Sequence, residues 1–359
     1  MNIDLSFHGL AHIAGRDLPP FLGETLRHHW SHFLVSAPAR LPTETIRLET
    51  LPPHHPLAGE TLADLPWRPF HLLDRPPQAE EPLRLFYRNQ LDLLVYFGPE
   101  EFRVLCAPRP GIGGKLLDLL QFLLQLLLAR RKSLIGHGSV VAKEGRCLLI
   151  TGLEDTKKTL LMLEFLRHGW DFLADDKFIL HEGEILFYRQ VIPLRLHHFT
   201  FLPWLNERLK ADAFLRRARS HRAMQRLGRS LPKPLMPLVE RLFPDPSLDL
   251  PMERLFPKTR LLQRARPTEL ILLVHGAAFG PTPIDQSAVF RELGIINELL
   301  FDAFLPLERH LVYYGYIPAI PYREILESQL AAVKPHRFTL PLRGEFAPQA
   351  QAIRLAVSS

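Results

Sequence analysis

Cysteine is nearly absent: Cys106 and Cys147 are the only two in 359 residues, and each stands inside an apolar, strand-like run. That excludes a disulfide framework and a cysteine zinc centre, and leaves two buried, unpaired thiols. Long apolar runs are lacking as well, since the most apolar stretch, Leu116 to Ala129, has about fourteen residues against the ~20 that a membrane span needs. The opening MNIDLSFHGLAHIAG has no basic start followed by a long apolar core, so no export signal is expected and a cytoplasmic location is the default. Glycine is modest, at 20 residues against 33 prolines, which predicts rigid corners rather than pliant linkers.

A formal charge of +6 favours an anionic partner, whether nucleotide, phosphorylated substrate, acidic protein or nucleic acid. The basic residues concentrate in a helical stretch from Leu202 to Leu262, at Arg208, Lys210, Arg216, Arg217, Arg219, Arg222, Arg226 and Arg229. No aromatic residue interleaves with them between Arg216 and Arg229, so a nucleic-acid stacking surface is not supported and a solvated face is the simpler reading. His28, His29 and His32 cluster on an expected helix, Pro20 to Leu34, but with no carboxylate or cysteine nearby they read as a polar face rather than a metal site.

Short β-like runs follow at Ile46 to Glu49, Leu83 to Arg88, Leu93 to Phe97 and Phe102 to Cys106, the last three spaced as an antiparallel meander. Pro110 to Lys115 reads as a glycine-rich turn before a helix, Lys115 to Lys132, that is apolar on nearly every side and therefore buried. Later expectations are a hairpin over Phe178 to Tyr188, a buried strand Leu270 to Val274, a helix Gln286 to Phe304, a strand-like Leu311 to Tyr314 and an amphipathic helix Tyr322 to Val333. The tail after Arg343 carries no clear pattern.

The informative stretch is Gly136 to Leu180. It reads as a strand beginning at a histidine, an apolar strand Cys147 to Thr151, a polar turn, a helix Lys158 to His168, and a strand ending at Asp175-Asp176. A turn between strand and helix aims free backbone N–H groups and the positive end of the helix dipole at an anion. Against the phosphate-loop pattern G-x-x-x-x-G-K-[ST], Gly152, Lys158 and Thr159 are in register, while Lys157 replaces the second glycine.

In order, His137-Gly138, the strand Leu148 to Thr151, the loop Gly152 to Thr159, Arg167-His168-Gly169 and Ala174-Asp175-Asp176 resemble the catalytic domain of HPr kinase/phosphorylase and related bacterial serine kinases. The resemblance implies an α/β P-loop domain of the HPr kinase/PEP carboxykinase type, with a mixed central sheet flanked by helices. That domain would cover 111–345, with a basic helical insertion at about 202–262 and a tail at 346–359, after a smaller β-rich α+β region, 1–110, for partner recognition. It further implies ATP and Mg²⁺ as cofactors, a protein or peptide serine as substrate and a homo-oligomer. Gly152, Leu153, Glu154, Asp155, Thr156, Lys157, Lys158 and Thr159 would form the nucleotide loop. Thr159 and Asp176 would hold the metal, and Asp175, Asp176 and His137 would be catalytic.

Two positions depart from the pattern. Asp155 and Lys157 stand where small residues let the backbone wrap phosphate oxygens, and Glu154 with Asp155 adds negative charge there. The expectation is a crowded loop in which Lys157 pairs with one of these acids. A second reading follows, a catalytically inactive pseudokinase that keeps the fold and binds a partner.

Overall fold

The computed structural model describes residues 1–36, 44–52, 54–55, 83–87, 90–98, 101–107, 112–188, 191–210, 213–216, 219–220, 248–313, 315, 317–342 and 344–358, with backbone alone at 83–87 and 90–92. Pro53 and the proline-rich stretch 56–82, Arg88, the Pro110-Gly111 pair and Arg217, Arg222, Arg226 and Arg229 lie outside the described residues. In chain order the elements are β1 (Ile3–Phe7), β2 (Ala11–Arg16), α1 (Pro20–Trp30), β3 (Thr45–Thr50), β4 (Leu83–Tyr87), β5 (Gln90–Phe97), β6 (Glu101–Cys106) and α2 (Ile112–Arg130). Next come β7 (Leu134–His137), β8 (Ser139–Lys143), β9 (Arg146–Gly152), α3 (Lys158–Arg167), β10 (Asp171–Ala174), β11 (Lys177–His181), β12 (Glu184–Leu186), β13 (Val191–Leu194), α4 (Leu196–Phe201) and α5 (Trp204–Leu209). The chain closes with β14 (Leu248–Pro251), α6 (Met252–Leu255), β15 (Arg264–Ala265), β16 (Glu269–His275), β17 (Gly280–Pro281), α7 (Gln286–Leu299), α8 (Leu305–Tyr313), α9 (Tyr322–Leu330), β18 (Lys334–Leu340) and α10 (Phe346–Ser358). The protein is mixed α/β, with several mixed sheets and helices.

Two compact units divide these elements. The first holds Met1–Gly136, Leu180–Glu182 and Gly294–Ser328; the second holds His137–Ile179, Gly183–Leu293 and Gln329–Ser359. The division thus falls at Gly136, whereas the sequence put a boundary near residue 110, because α2 packs against α1, β2 and β3 of the first unit.

The first unit is built on a sheet in the order β1-β2-β3-β6-β5-β4. β2, β3 and β6 run parallel, and β6, β5 and β4 form the expected antiparallel meander. Its core joins Phe7 edge-on to Trp30, at 5.3 Å between ring centroids, with Leu26 and Leu22 one and two turns before Trp30 on α1. The helix expected over Pro20 to Leu34 stops at Trp30 and finishes in a 3₁₀ turn, Ser31–Phe33. α2 starts earlier than expected, taking in Gly113 and Gly114, so that Pro110 to Lys115 is partly helix rather than turn. At 19 residues α2 is long and apolar enough to cross a membrane, which corrects the shorter count made from the sequence; 67% of its apolar window is buried within the protein. The strand expected at Leu311 to Tyr314 is instead helix over Leu311 to Tyr313, the end of α8, where Leu307 and Leu311, four residues apart, are buried on one face; Tyr314 lies outside the described residues.

The second unit carries the sheet β10-β8-β9-β16-β18-β17. Its central strands β9, β16 and β18 are parallel, and Leu148 to Ile150 and Leu270 to Leu273 are buried without alternation, as strands covered on both faces require. Glu269 stitches the starts of these three strands together, accepting from Arg146 on β9 and pairing with His336 on β18 at 3.0 Å. α3 packs on β8, β9 and α10. The basic stretch expected to be helical from Leu202 to Leu262 also contains β14, which pairs antiparallel with β13. Both cysteines are free and buried, and burial pushes the Cys147 thiol up to about 12.

Candidate functional site

The polar turn after β9 is where the two ideas read from the sequence, a phosphate loop and a damaged one, can be separated. β9 ends at Gly152 beside the parallel strand β16, so the turn emerges at the carboxyl end of the parallel strands, where open α/β sheets hold their ligands. Gly152 has φ +153, and a Cβ there would lie 2.4 Å from the Leu273 carbonyl oxygen. Only glycine passes such a point without strain. Thr156 closes the turn by donating to the Leu153 carbonyl at 2.7 Å.

Asp155 and Lys157 adopt left-handed backbone, with φ of 59° and 68°. These are the two positions where the sequence lacks the small residues of a phosphate loop, so the turn takes up the curvature without the glycines that make it cheap. The Lys157 side chain does not pair with Glu154 or Asp155 as expected. Its Nζ donates to the Pro341 carbonyl at 2.8 Å and lies 4.8 Å from the ring centre of Phe201 and 5.7 Å from that of Phe346. An aromatic face and a carbonyl together hold an ammonium better than an exposed carboxylate, whose attraction water screens.

Lys158 opens α3 and is buried, curling back to donate to the carbonyls of Gly152 at 2.9 Å and Leu153 at 2.7 Å. Burial lowers its pKa, while Asp176, Asp175, Glu154 and Asp155 pull it back up. Thr159 donates to Asp175 Oδ1 at 3.1 Å, and Ser139 from β8 donates to the same oxygen at 2.6 Å. Asp175 is almost wholly buried, and burial pushes its carboxyl up to about 6 against the lowering effect of these two hydroxyls.

Asp176 is half-exposed where Asp175 is buried. It has φ +67 at the centre of a three-residue turn closed by Lys177 N–H to the Asp175 carbonyl at 2.8 Å, a strained arrangement of the kind found at functional sites. Its carboxylate meets Lys177 Nζ at 2.8 Å and His137 Nδ1 at 3.7 Å. The His137 backbone is fixed from behind, its carbonyl accepting from Thr151 at 2.7 Å. Burial and the Lys158 charge lower the His137 pKa to about 4 against the pull of Asp176, so the ring is neutral at pH 7.

These groups open on one cleft of about 440 Å³. His137, Glu154 to Thr159, Asp175 and Asp176 all line it; Gly152 and Leu153 form the loop's beginning without lining the cleft. The chain matches no protein-family model and no curated protein.

A second wall, from β13 and α4, was not read from the sequence. It contributes Pro193, Arg195, His197, His198 and Phe201, with Leu342 beside them. The one available signal was the run Arg195-Leu196-His197-His198 directly after a proline-bearing strand, a local basic cluster without a recognisable motif. His198 Nδ1 accepts from the Arg195 backbone N–H at 2.8 Å, and burial lowers the His198 pKa to about 3, so it acts as a neutral acceptor.

Among the described residues no three His, Cys, Asp or Glu side chains group to hold a metal by themselves, and the His28, His29 and His32 cluster forms no such site. The Thr159 hydroxyl, expected beside Asp176 as a metal pair, bonds Asp175 instead. A hydroxyl and one carboxylate are too few to hold a metal alone. They suffice for Mg²⁺ that arrives with a polyphosphate, since it binds through one or two carboxylates plus phosphate oxygens and water.

Proposed function

We propose that the chain is an HPr kinase-like P-loop protein, an atypical ATP-dependent serine kinase acting on a protein or peptide. The observation that carries this reading is the meeting of Lys158, Thr159 and Asp175 at the start of α3 in one cleft, through the 3.1 Å bond between Thr159 and Asp175. A lysine and a hydroxyl at the helix start, with a carboxylate bonded to that hydroxyl, form the arrangement by which P-loop proteins hold Mg²⁺ and phosphates. Bound Mg-ATP would supply the phosphoryl group and its charge neutralisation. Lys158 would exchange the Gly152 and Leu153 carbonyls for phosphate oxygens, and Thr159 with Asp175 would hold the metal. The half-exposed Asp176, beside neutral His137, is the better placed of the two acids to accept the serine proton.

The commitment of Lys157 to the Pro341 carbonyl supports this reading, because the side chain that would have filled the loop is held there. A partner-binding pseudokinase is the second reading, favoured by exposed Glu154 and Asp155, whose charges oppose an anion at short range.

Calorimetric titration with ATP, with and without Mg²⁺, separates the two. Magnesium-dependent binding that weakens by roughly 30- to 100-fold in Lys158→Ala, the worth of a charged phosphate donor, is the expected result. No binding to the wild-type chain at millimolar nucleotide overturns the kinase reading and leaves the pseudokinase.

A further inference from the structure

The cleft has an uneven charge distribution. Glu154, Asp155, Asp175 and Asp176 line it, and of its three lysine and arginine side chains two are already committed to carbonyls, Lys157 to Pro341 and Lys158 to Gly152 and Leu153. The third is Arg195, exposed on the second wall and without an ion pair to a carboxylate among the described residues. Its backbone is not free to drift, since β13 holds the residue before it by pairing with β14 and buried His198 accepts its N–H.

The argument for its ligand rests on the kinase reading. In a P-loop the backbone cradles the inner phosphates and the lysine reaches the outer two, which leaves the far side of the outermost phosphate open to a donor from outside the loop. Arg195 comes from outside the loop, so it meets that open side. Its planar fork of donors pairs bidentately with phosphate oxygens, which an ammonium cannot do. We infer that Arg195 is the specificity-determining cation of this cleft, engaging the outermost phosphate of a nucleoside triphosphate and so distinguishing a triphosphate from a diphosphate.

The test is calorimetric titration of the full chain with Mg-ATP and with Mg-ADP, on wild type, Arg195→Gln, Arg195→Lys and Lys158→Ala. Arg195→Gln is expected to lose about tenfold or more in ATP affinity with ADP affinity unchanged, so that the preference for ATP collapses. Arg195→Lys retains part of that preference, because it keeps the charge without the fork. The thermal midpoint of Arg195→Gln stays at the wild-type value, since the side chain is exposed. Equal weakening for both nucleotides puts Arg195 on an inner phosphate and overturns the inference, as does an Arg195→Gln variant that binds both as tightly as the wild-type chain. If Lys158→Ala loses both nucleotides while Arg195→Gln keeps both, the kinase reading stands and only this inference falls. If the wild-type chain binds neither, both fall together.

Discussion

Asp175→Asn is expected to lose phosphotransfer by roughly 100-fold or more while gaining stability at pH 8. The two effects have one origin, a carboxylate almost wholly buried beside the loop and bonded by Ser139 and Thr159. Its folded pKa of about 6 lies above the ordinary unfolded value, because burial disfavours the charge more than the two hydroxyls favour it. A carboxyl of this kind binds its proton more tightly when the chain is folded. The folded state is therefore favoured by protonation below about pH 4, and that contribution is lost as pH rises from about 4 to about 6. Above pH 6 the burial cost stands in full, on the order of 1–3 kcal/mol. Asparagine keeps an oxygen to accept from Ser139 and removes the charge, so the variant should exceed wild type by about that amount at pH 8 and match it near pH 4. Urea unfolding at both pH values measures this. A variant less stable than wild type at pH 8 would mean that the hydroxyls and Lys158 more than offset burial, and that the carboxylate is kept for the fold rather than for chemistry.

That trade was only half visible in the sequence. The order strand, turn, helix, strand from Gly136 to Leu180 was legible because each element announces itself: an unbroken apolar run before Gly152, Lys-Thr at a helix start, and an acidic pair after an apolar run. The division of labour between Asp175 and Asp176 was not, because only the turn at Asp176 decides which carboxylate is buried against Ser139 and Thr159 and which is half-exposed beside His137. Lys157 shows the same limit. Its identity argued for a blocked loop, but the loop's openness depends on where the side chain goes. That direction is set by Phe201 and Phe346, 44 and 189 positions further along the chain.

β16 was expected as the buried strand Leu270 to Val274, but β17 and β18 of the same sheet were missed for a related reason. β18, between β16 and β17, reads Lys-Pro-His-Arg-Phe-Thr-Leu, with proline near its start and the charged Lys334 and Arg337 in its first four residues. Nothing in that pattern marks a strand; pairing with β16 over seven residues does. α10, in the tail that carried no clear pattern, packs on α3 and supplies Phe346 to hold Lys157. In α8 the β-branched and aromatic residues Val312 and Tyr313 suggested a strand, and burial of Leu307 and Leu311 against the first unit's core prevailed over that local preference.

Gly152→Ala is expected to destabilise the second unit by about 3 kcal/mol, the largest loss from any single methyl group at the site. Two independent costs add. The backbone at φ +153 is one that a residue with a Cβ adopts only under strain, and the added carbon would sit 2.4 Å from the Leu273 carbonyl oxygen and 2.6 Å from Thr156 Oγ1. Thr156 could rotate, but Leu273 cannot retreat. It is the register partner of Gly152 on one side and of Phe338 on the other, in the centre of the sheet. Relief must come from the loop, which swings the Gly152 carbonyl away from Lys158 and so disturbs the cradle as well. Gly145, in the turn between β8 and β9, is the control: its φ of +81 also favours glycine, but no atom lies within 4 Å of an added Cβ. Gly145→Ala therefore carries only the backbone cost, about 1 kcal/mol. Urea unfolding of the two variants side by side reads the difference, and equal losses would show that close approach to Leu273 contributes nothing and that the conformation of the turn alone requires glycine at its start.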